Sequence, residues 1–151
     1  MENNASVLFV QIRALGAAVD AFERAASRAL DINRSDLHAL NALEYGPLSH
    51  RDLAERLDLS SGTVTTLVDR LVAAGYVERQ PDPGDRRRIG VALTAATYQA
   101  FARVYRPCGQ AVAASTSDLS DEARQVAADA LERAADAISA AARELGVSRD
   151  G

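Results

Sequence analysis

The chain has 151 residues, a formal net charge of −4 and an apolar content of 48%, a size and composition that fit one small globular domain. With one cysteine and no long apolar run, the sequence argues against a disulfide framework or a membrane-spanning protein, and we expect a cytoplasmic location. Residues 51–106 carry nine arginines against seven acidic residues, and both flanking segments have more acids than bases. The basic surplus in the middle of the chain indicates where an anionic partner would bind.

Residues 6–30 are predicted to form one long helix, preceded by a frayed segment, Met1 to Ala5. Apolar residues recur in it at alternating steps of four and three, the spacing of one helix face; they are Leu8, Ile12, Leu15, Val19, Phe22, Ala26 and Ala29. The seam is long for a helix that only covers a small domain. Packing within the chain and packing against a second copy are both open interpretations.

Two shorter helices follow. Ser35 is a candidate N-cap for a helix over 36–44, and Ser49 is a candidate N-cap for a helix over 50–57, because a serine hydroxyl satisfies a free backbone N–H of the first turn. A tight turn, Asp58-Leu59, leads from the second of these into the next helix. Two helices joined by so short a connection have the layout of a helix-turn-helix.

The next helix is predicted from an N-cap at Ser60 to a stop at Gly75. Its apolar face holds Val64, Leu67, Val68 and Leu71, and its outer face holds Gly62, Thr65, Thr66, Asp69 and Arg70. An ordinary amphipathic helix with a solvated side is one interpretation. The outer face near the N-terminus, however, is small and hydroxylated, which lets a helix enter a DNA major groove about 12 Å wide.

A β-hairpin is predicted next, with strands over 76–80 and 89–93. Ile89, Val91 and Leu93 alternate onto one face, and Asp82-Pro83-Gly84-Asp85 has the composition of a turn. Three consecutive arginines, 86–88, adjoin this turn. Adjacent cations repel one another unless an anion is near, so the hairpin favours phosphate or a narrow minor groove as its partner.

The C-terminal third is predicted to form two alanine-rich helices. The first covers 95–115 and contains Pro107, which should kink or interrupt it. The second starts near Ser120 and should stop at Gly146, before a disordered tail, Val147 to Gly151. So many alanines permit close helix approach, as in an intermolecular bundle.

The sequence shows no phosphate-binding glycine loop, no Cys/His cluster with metal-ligand spacing and no nucleophile–base set. We therefore expect no enzyme activity, no metal and no cofactor. His38 is interpreted as a surface or hydrogen-bonded histidine, with a pocket-lining position as the alternative. Cys108 is interpreted as a passive thiol, with a redox sensor as the alternative.

The segment from about Leu37 to Thr94 resembles the MarR family of bacterial winged helix-turn-helix transcription factors. The resemblance is carried by an ordered, ungapped series of motifs: Leu53-Ala54-Glu55-Arg56-Leu57, Ser61-Gly62-Thr63-Val64-Thr65, Val68-Asp69-Arg70-Leu71, Gly75-Tyr76-Val77-Glu78-Arg79, Asp82-Pro83-Gly84-Asp85-Arg86-Arg87 and Leu93-Thr94. It implies a mainly α fold with a small β-hairpin wing and long terminal dimerisation helices. It also implies a homodimer, a pseudo-palindromic site on double-stranded DNA, and often release by a small molecule or by oxidation.

We therefore expect a transcriptional regulator, most simply a repressor, with residues 35–94 as the DNA-binding domain. Residues 6–30 and 95–146 would form the dimerisation region of a single compact domain. Bases should be read by Ser61, Thr63 and Thr66, with Thr65 and Arg70 nearer phosphates and Arg79 also at the DNA. The resemblance places Arg87 in the minor groove, oriented by Asp85, with Arg86 and Arg88 on phosphates. The competing interpretation is a winged-helix protein-interaction module that does not bind DNA.

The resemblance also implies an effector pocket between the dimerisation helices and the winged helix. Six residues would line it: Phe9, Arg13, His38, Asn41, Phe101 and Tyr105. Aromatic faces beside a cation suit a small aromatic or phenolic carboxylate. The alternative is that these residues only pack the core and the dimer.

Overall fold

A computed structural model of the chain describes residues 2–81 and 89–147, with the side chains of residues 7–81 and 89–145. Within these ranges the chain forms six helices and three short strands. They are α1 (Glu2–Ala29), α2 (Arg34–Ala42), β1 (Leu48–Ser49), α3 (His50–Leu57), α4 (Ser61–Ala73), β2 (Val77–Pro81), β3 (Ile89–Leu93), α5 (Ala95–Ser115) and α6 (Asp121–Val147). The predicted mainly α fold with a small β-sheet is confirmed.

Packing divides the chain into two compact units, residues 1–106 and residues 107–151. The core lies in the first unit, where α2, α3 and α4 bury their apolar faces together with β3. Its fully buried large side chains are Leu37, Leu40, Leu53, Val64, Val68, Leu71 and Val91. The helical periodicity of the sequence places these apolar side chains on one face of each helix, and their burial stabilises the helix-turn-helix.

The sheet has the antiparallel order β1-β3-β2. The limits predicted for β3 are confirmed, and the short strand β1, which pairs Leu48 with Val91, was not predicted. The residues predicted to share one face of β3 differ in burial, since Ile89 is 60% exposed and Val91 is fully buried. Ile89 pairs with Pro81 at the end of the hairpin, beyond the part of the sheet that covers the core. Because β2 is an edge strand, the missing N–H of Pro81 costs no ladder bond there.

The predicted N-caps of α3 and α4 are confirmed. The Ser49 hydroxyl accepts the N–H of Asp52 at 3.1 Å, and the Ser60 hydroxyl accepts the N–H of Thr63 at 3.3 Å. The cap predicted for α2 is wrong: α2 begins one residue before Ser35 and is capped by Asn33. Both side chains are competent caps, but Asn33 also donates its side-chain amide to the carboxylate of Asp36, which favours it as the cap.

Gly75 ends α4 as predicted. It has φ +75°, a left-handed conformation that glycine adopts without a Cβ penalty. The N–H of Tyr76 bonds the carbonyl of Leu71 at 2.9 Å, and the N–H of Gly75 bonds that of Val72 at 3.0 Å. This is a Schellman motif, and it explains why β2 starts at Val77 and not at the predicted residue 76.

Helix α1 begins at Glu2, ahead of the predicted residue 6, and most of its apolar seam is not buried within the chain. Ala26 is buried, but Leu8, Leu15 and Val19 are each about half exposed, at 55%, 49% and 49%. Ion pairs near its C-terminal end tie it to α2, where Arg34 donates to Asp20. That hydrogen bond lowers the pKa of Asp20.

The second unit contains the end of α5 and all of α6. One alternative predicted for Pro107, an interruption of the helix, is wrong, since α5 continues through it to Ser115; the other alternative, a kink, stays a prediction. Ser120 caps α6 by accepting the N–H of Ala123 at 3.1 Å. The predicted stop at Gly146 is also wrong, because α6 extends to Val147. The remaining tail, 148–151, lies outside the described residues. None of the helices described here has the length and apolar content needed to cross a membrane.

Candidate nucleic-acid interface

Helix α4 has two chemically distinct faces. One is wholly buried through Val64, Leu67, Val68 and Leu71. The other is exposed and carries small polar residues over its first two turns: Ser61, Gly62, Thr63, Thr65 and Thr66. These include all four of the small residues that the sequence assigned to bases and phosphates, and the structure places them on one accessible surface. A helix whose outer face is this slim fits a major groove.

The threonine hydroxyls of this face are already oriented by the helix backbone. Thr65 Oγ1 donates to the carbonyl of Ser61 at 2.9 Å, and Thr66 Oγ1 donates to that of Gly62 at 3.2 Å. A hydroxyl has one proton and two lone pairs, so each of these oxygens, with its proton donated to the backbone, can still accept a hydrogen bond beside its methyl group. Such a pair suits the amino group of adenine or cytosine and the methyl group of thymine.

Two of the arginines predicted to lie at the DNA are among the described residues, and both are paired within the protein. Arg70 of α4 donates to Asp36 of α2, and Arg79 of β2 donates to Asp69 of α4. The recognition helix is thereby tied to α2 on one flank and to the wing on the other. Their direct contact with phosphate stays a prediction.

A concavity of about 670 Å³ adjoins the start of α4, and two residues that line it, His50 and Arg51, were not predicted to lie at the DNA. Its lining includes His50, Arg51, Ser60 and Ser61. Arg51 is exposed and donates to Glu55 at 2.9 Å, and this hydrogen bond raises the pKa of Arg51. Helix-turn-helix proteins contact the DNA backbone with the helix that precedes the groove-binding recognition helix, which here is α3 before α4. The cation in the first turn of α3, Arg51, is the sequence feature that could have indicated this contact.

The wing predictions fall on residues that the structure does not cover. Asp85, Arg86, Arg87 and Arg88 lie outside the described residues, as does the turn over 82–85. The described strands stop at Pro81 and Ile89, which are paired with each other.

Three residues of the predicted effector pocket come together beside α1. Tyr105 donates to Asn41 Oδ1 at 2.9 Å, and its ring stacks on that of Phe101 with centroids 5.4 Å apart. Phe22, which the sequence analysis assigned to the helix seam, meets Tyr105 edge-on at 5.2 Å. The three rings therefore form one cluster next to Asn41, and its part in ligand binding stays a prediction.

The polar members of that pocket are distributed differently. His38 Nε2 lies 3.3 Å from Glu23 Oε2, and both line a cavity of about 390 Å³ with Asn41 and Arg56. Phe9 and Arg13 are exposed on α1. At a rise of about 1.5 Å per residue, Arg13 lies roughly 14 Å along the helix axis from Phe22. Arg56 is thus the cation that the described chain places at this cavity.

Other chemistry is sparse in the parts of the chain that the structure covers. No group of three or more His, Cys, Asp or Glu side chains is arranged there to hold a metal ion. Cys108 is a free, half-buried thiol on α5, and its role as a passive thiol stays a prediction.

Comparison with known proteins agrees with this geometry. The family model described as MarR family matches residues 30–88. The Bacillus subtilis protein YcgE, an uncharacterised HTH-type transcriptional regulator, is 39% identical over 123 residues, which span 81% of this chain and 75% of YcgE. The chain belongs to the MarR family. It is a DNA-binding transcriptional regulator with a winged helix-turn-helix, as the sequence predicted.

Solved structures have the same fold. A MarR family protein from Bacillus stearothermophilus superimposes with a TM-score of 0.69 at 23% identity, covering 92% of this chain and 98% of that one. NadR in complex with 4-hydroxyphenylacetate superimposes with a TM-score of 0.62 at 24% identity, covering 84% and 90%. At these identities the likeness concerns the fold.

Proposed function

We propose that this MarR-family regulator represses transcription as a homodimer bound to a pseudo-palindromic DNA site, and that a small aromatic or phenolic acid releases it. The observation that carries the DNA-binding part is the division of α4 into a buried apolar face and an exposed face of small polar side chains. A solvated helix face ordinarily carries long charged residues, whereas a helix face that enters the major groove needs small side chains.

The proposed DNA contacts follow from that face. Ser61, Thr63 and Thr66 read base edges, and Thr65 lies nearer the phosphate backbone. The wing supplies Arg87 to the minor groove, with Asp85 orienting it and Arg86 and Arg88 on phosphates. A narrow minor groove concentrates negative potential and attracts an inserted arginine.

The proposed dimer is supported by apolar surface that the chain leaves exposed. Side chains from 47% to 74% exposed lie on α1 and on α6: Val7, Leu8, Phe9, Val10, Leu15, Val19, Val126, Leu131, Ile138 and Leu145. Exposed apolar surface of this kind on a monomer usually marks an interface. A dimer would carry two copies of α4, and dimeric helix-turn-helix proteins bind half-sites about one DNA turn, roughly 34 Å, apart.

The proposed effector site is the cavity beside Asn41 and Tyr105. Arg56 lines this cavity and would bind the carboxylate, and the aromatic cluster of Tyr105, Phe101 and Phe22 adjoins it through the hydrogen bond of Tyr105 to Asn41. Arg13 is a second candidate cation. NadR, with the same fold, was crystallised with 4-hydroxyphenylacetate. A ligand releases DNA only if it binds the DNA-incompetent conformation more tightly; a typical coupling of about 1–3 kcal/mol weakens operator binding about 5–150-fold.

The proposed function is tested by selecting binding sites from genomic fragments with the purified protein and then measuring transcripts with and without it. We expect salt-dependent binding to sites with two inverted half-sites, and higher transcription in its absence. Lower transcription in its absence would make it an activator. A folded protein that shifts no fragment at low salt would instead favour the protein-interaction module.

A further inference from the structure

The ion pair between Asp36 and Arg70 has a consequence for the recognition helix itself. We propose that Arg70 is a positioning residue, which fixes the rotation of α4 through Asp36 and does not contact phosphate in the bound complex. This inference rests on the proposed insertion of α4 into the major groove. It gives Arg70 a different role from the phosphate contact that its charge and place in the sequence predict.

Asp36 is held so that both carboxylate oxygens are occupied. Oδ2 accepts the side-chain amide of Asn33 at 2.8 Å, and Oδ1 accepts Arg70 Nη2. The backbone N–H of Asp36 donates to Asn33 Oδ1 at 2.9 Å, which anchors the residue to the cap of α2. The Asp36 side chain is only 10% exposed, so the anchor is largely shielded from water.

Arg70 lies on the stripe of α4 that is proposed to read bases. At about 100° per residue, it falls between Thr63 and Thr66 around the helix axis. A contact that fixes the direction of Arg70 therefore fixes the direction in which these two threonines project. A rotation of α4 that broke the pair would turn both hydroxyls away from their base edges.

Charge burial opposes a switch of Arg70 from Asp36 to DNA. If its guanidinium moved to a phosphate, the Asp36 carboxylate would keep, among the described side chains, only the neutral amide of Asn33 as a partner. A buried carboxylate that loses its cation is strongly disfavoured, and a nearby polyanion makes the loss worse. Arg79 differs in this respect, because its partner Asp69 is 59% exposed and can be solvated when the arginine moves.

The charge-neutralising substitution Asp36→Asn separates the two roles by the sign of its effect. If Arg70 contacts phosphate, removing Asp36 frees the arginine and removes a repulsive carboxylate, so operator binding should strengthen. If Arg70 positions α4, binding should weaken by about tenfold, which is the effect of losing one well-formed base contact. Base preference at the positions read by Thr63 and Thr66 should also relax, which a purely structural role would not cause in a folded variant.

The salt dependence of binding gives a second readout with Arg70→Gln and Arg70→Lys. Each phosphate contact contributes about 0.9 to the slope of log affinity against log salt concentration, so two protomers would lose roughly 1.8 if Arg70 met phosphate. We expect an unchanged slope with weaker binding for Arg70→Gln. Arg70→Lys keeps the charge but lacks the planar guanidinium, and we expect it to weaken binding as well, whereas a phosphate contact would survive it.

Asp121→Asn is the matched control, since it makes the same change in an exposed carboxylate beside an arginine, Arg124, at the start of α6. It should leave binding unchanged. Circular dichroism establishes that each variant is folded, and if Asp36→Asn is not, Arg70→Lys decides alone. Stronger binding by Asp36→Asn, or a reduced slope in Arg70→Gln, would overturn the inference. A parent protein that fails to bind DNA would instead refute the proposed mode of binding.

Discussion

The hydroxyl of Tyr105 on α5 donates a hydrogen bond of 2.9 Å to the side-chain oxygen of Asn41 on α2, across 64 positions of sequence. Helix α2 also carries Asp36, the partner of Arg70 on the recognition helix. A ligand that displaced Asn41 would therefore act on the same helix that holds α4. This places the proposed effector site one helix away from the DNA-reading face.

The first prediction concerns the anion partner in the effector site. Arg56→Ala should raise the concentration of 4-hydroxyphenylacetate or salicylate that releases half of the bound DNA, by about tenfold, because a charge-assisted contact is removed. The measurement is a titration of each preformed complex, normalised to that variant's own DNA affinity.

Arg13→Ala is the comparison for this titration. If only Arg13→Ala raised the acid concentration that releases half of the bound DNA, Arg13 would be the anion partner. If no such acid releases DNA and an oxidant does so only with Cys108 present, the ligand hypothesis is replaced by a redox one.

The second prediction separates stability from binding at Gly62. A Cβ at this position meets no atom within 4 Å in the free protein, so Gly62→Ala should raise the free energy of unfolding by about 0.5–1 kcal/mol through its better helix propensity. Operator binding should nevertheless weaken, since the methyl group occupies the face that enters the groove. Thermal unfolding and a DNA shift on the same preparation measure both effects.

Gly75→Ala is the counterpart to Gly62→Ala. It also meets open space, but its φ of +75° makes the change destabilising by about 1 kcal/mol. A Gly62→Ala protein with full DNA affinity would show that this face of α4 stays outside the groove.

The third prediction concerns base reading by Thr66. Thr66→Ala should cost roughly 1–3 kcal/mol at one base position and relax the preference there. Thr66→Val keeps a methyl group and loses the hydroxyl. If Thr66 reads the thymine methyl, the valine variant keeps the preference; if it accepts from an amino group, both variants lose it. An unchanged preferred sequence in Thr66→Ala, measured by selection from random DNA, would place the reading face elsewhere.

The fourth prediction concerns the wing. Arg87→Ala should weaken binding most on operators with A·T-rich flanks, where the minor groove is narrow and its potential most negative. Arg86→Ala should weaken binding evenly on all flanks, as a phosphate contact does. Affinities for two operators that differ only in their flanks measure the contrast, and an equal loss for both variants would reduce Arg87 to a phosphate contact.

The fifth prediction concerns the dimer. Ile138 is 47% exposed on α6, and Ile138→Arg should convert the dimer to monomers because it buries a charge in an apolar interface. Ser139→Arg adds the same charge at the exposed neighbouring position and should leave the dimer intact. Light scattering gives the mass of each variant. Deletion of residues 120–151 should abolish dimers and DNA binding together, and a truncated chain that stays dimeric would contradict this role for α6.

Local rules were sufficient to predict the helix-turn-helix. The start of α3 after Ser49 and of α4 after Ser60, the end of α4 at Gly75 and the buried stripe of α4 all follow from side chains within one or two turns of each other. Capping, helical periodicity and the conformational freedom of glycine act over that range. The same rules failed where two local choices have similar energy, as at Gly146, because glycine permits a left-handed stop without requiring one.

Tertiary contacts decided the remaining features. Asn33 and Ser35 are both competent caps of α2, and the structure uses Asn33. The side chain of Asn33 donates to one carboxylate oxygen of Asp36, and Arg70, 34 residues away, donates to the other. Strand β1 forms because Leu48 pairs with Val91 of β3. A strand of two residues is too short to show an alternating pattern, so the sequence did not predict it. The sequence shows the charge of Arg70 but not Asp36, the distant partner to which it donates. Such pairings depend on which segments the hydrophobic core brings together, and local sequence does not encode that selection.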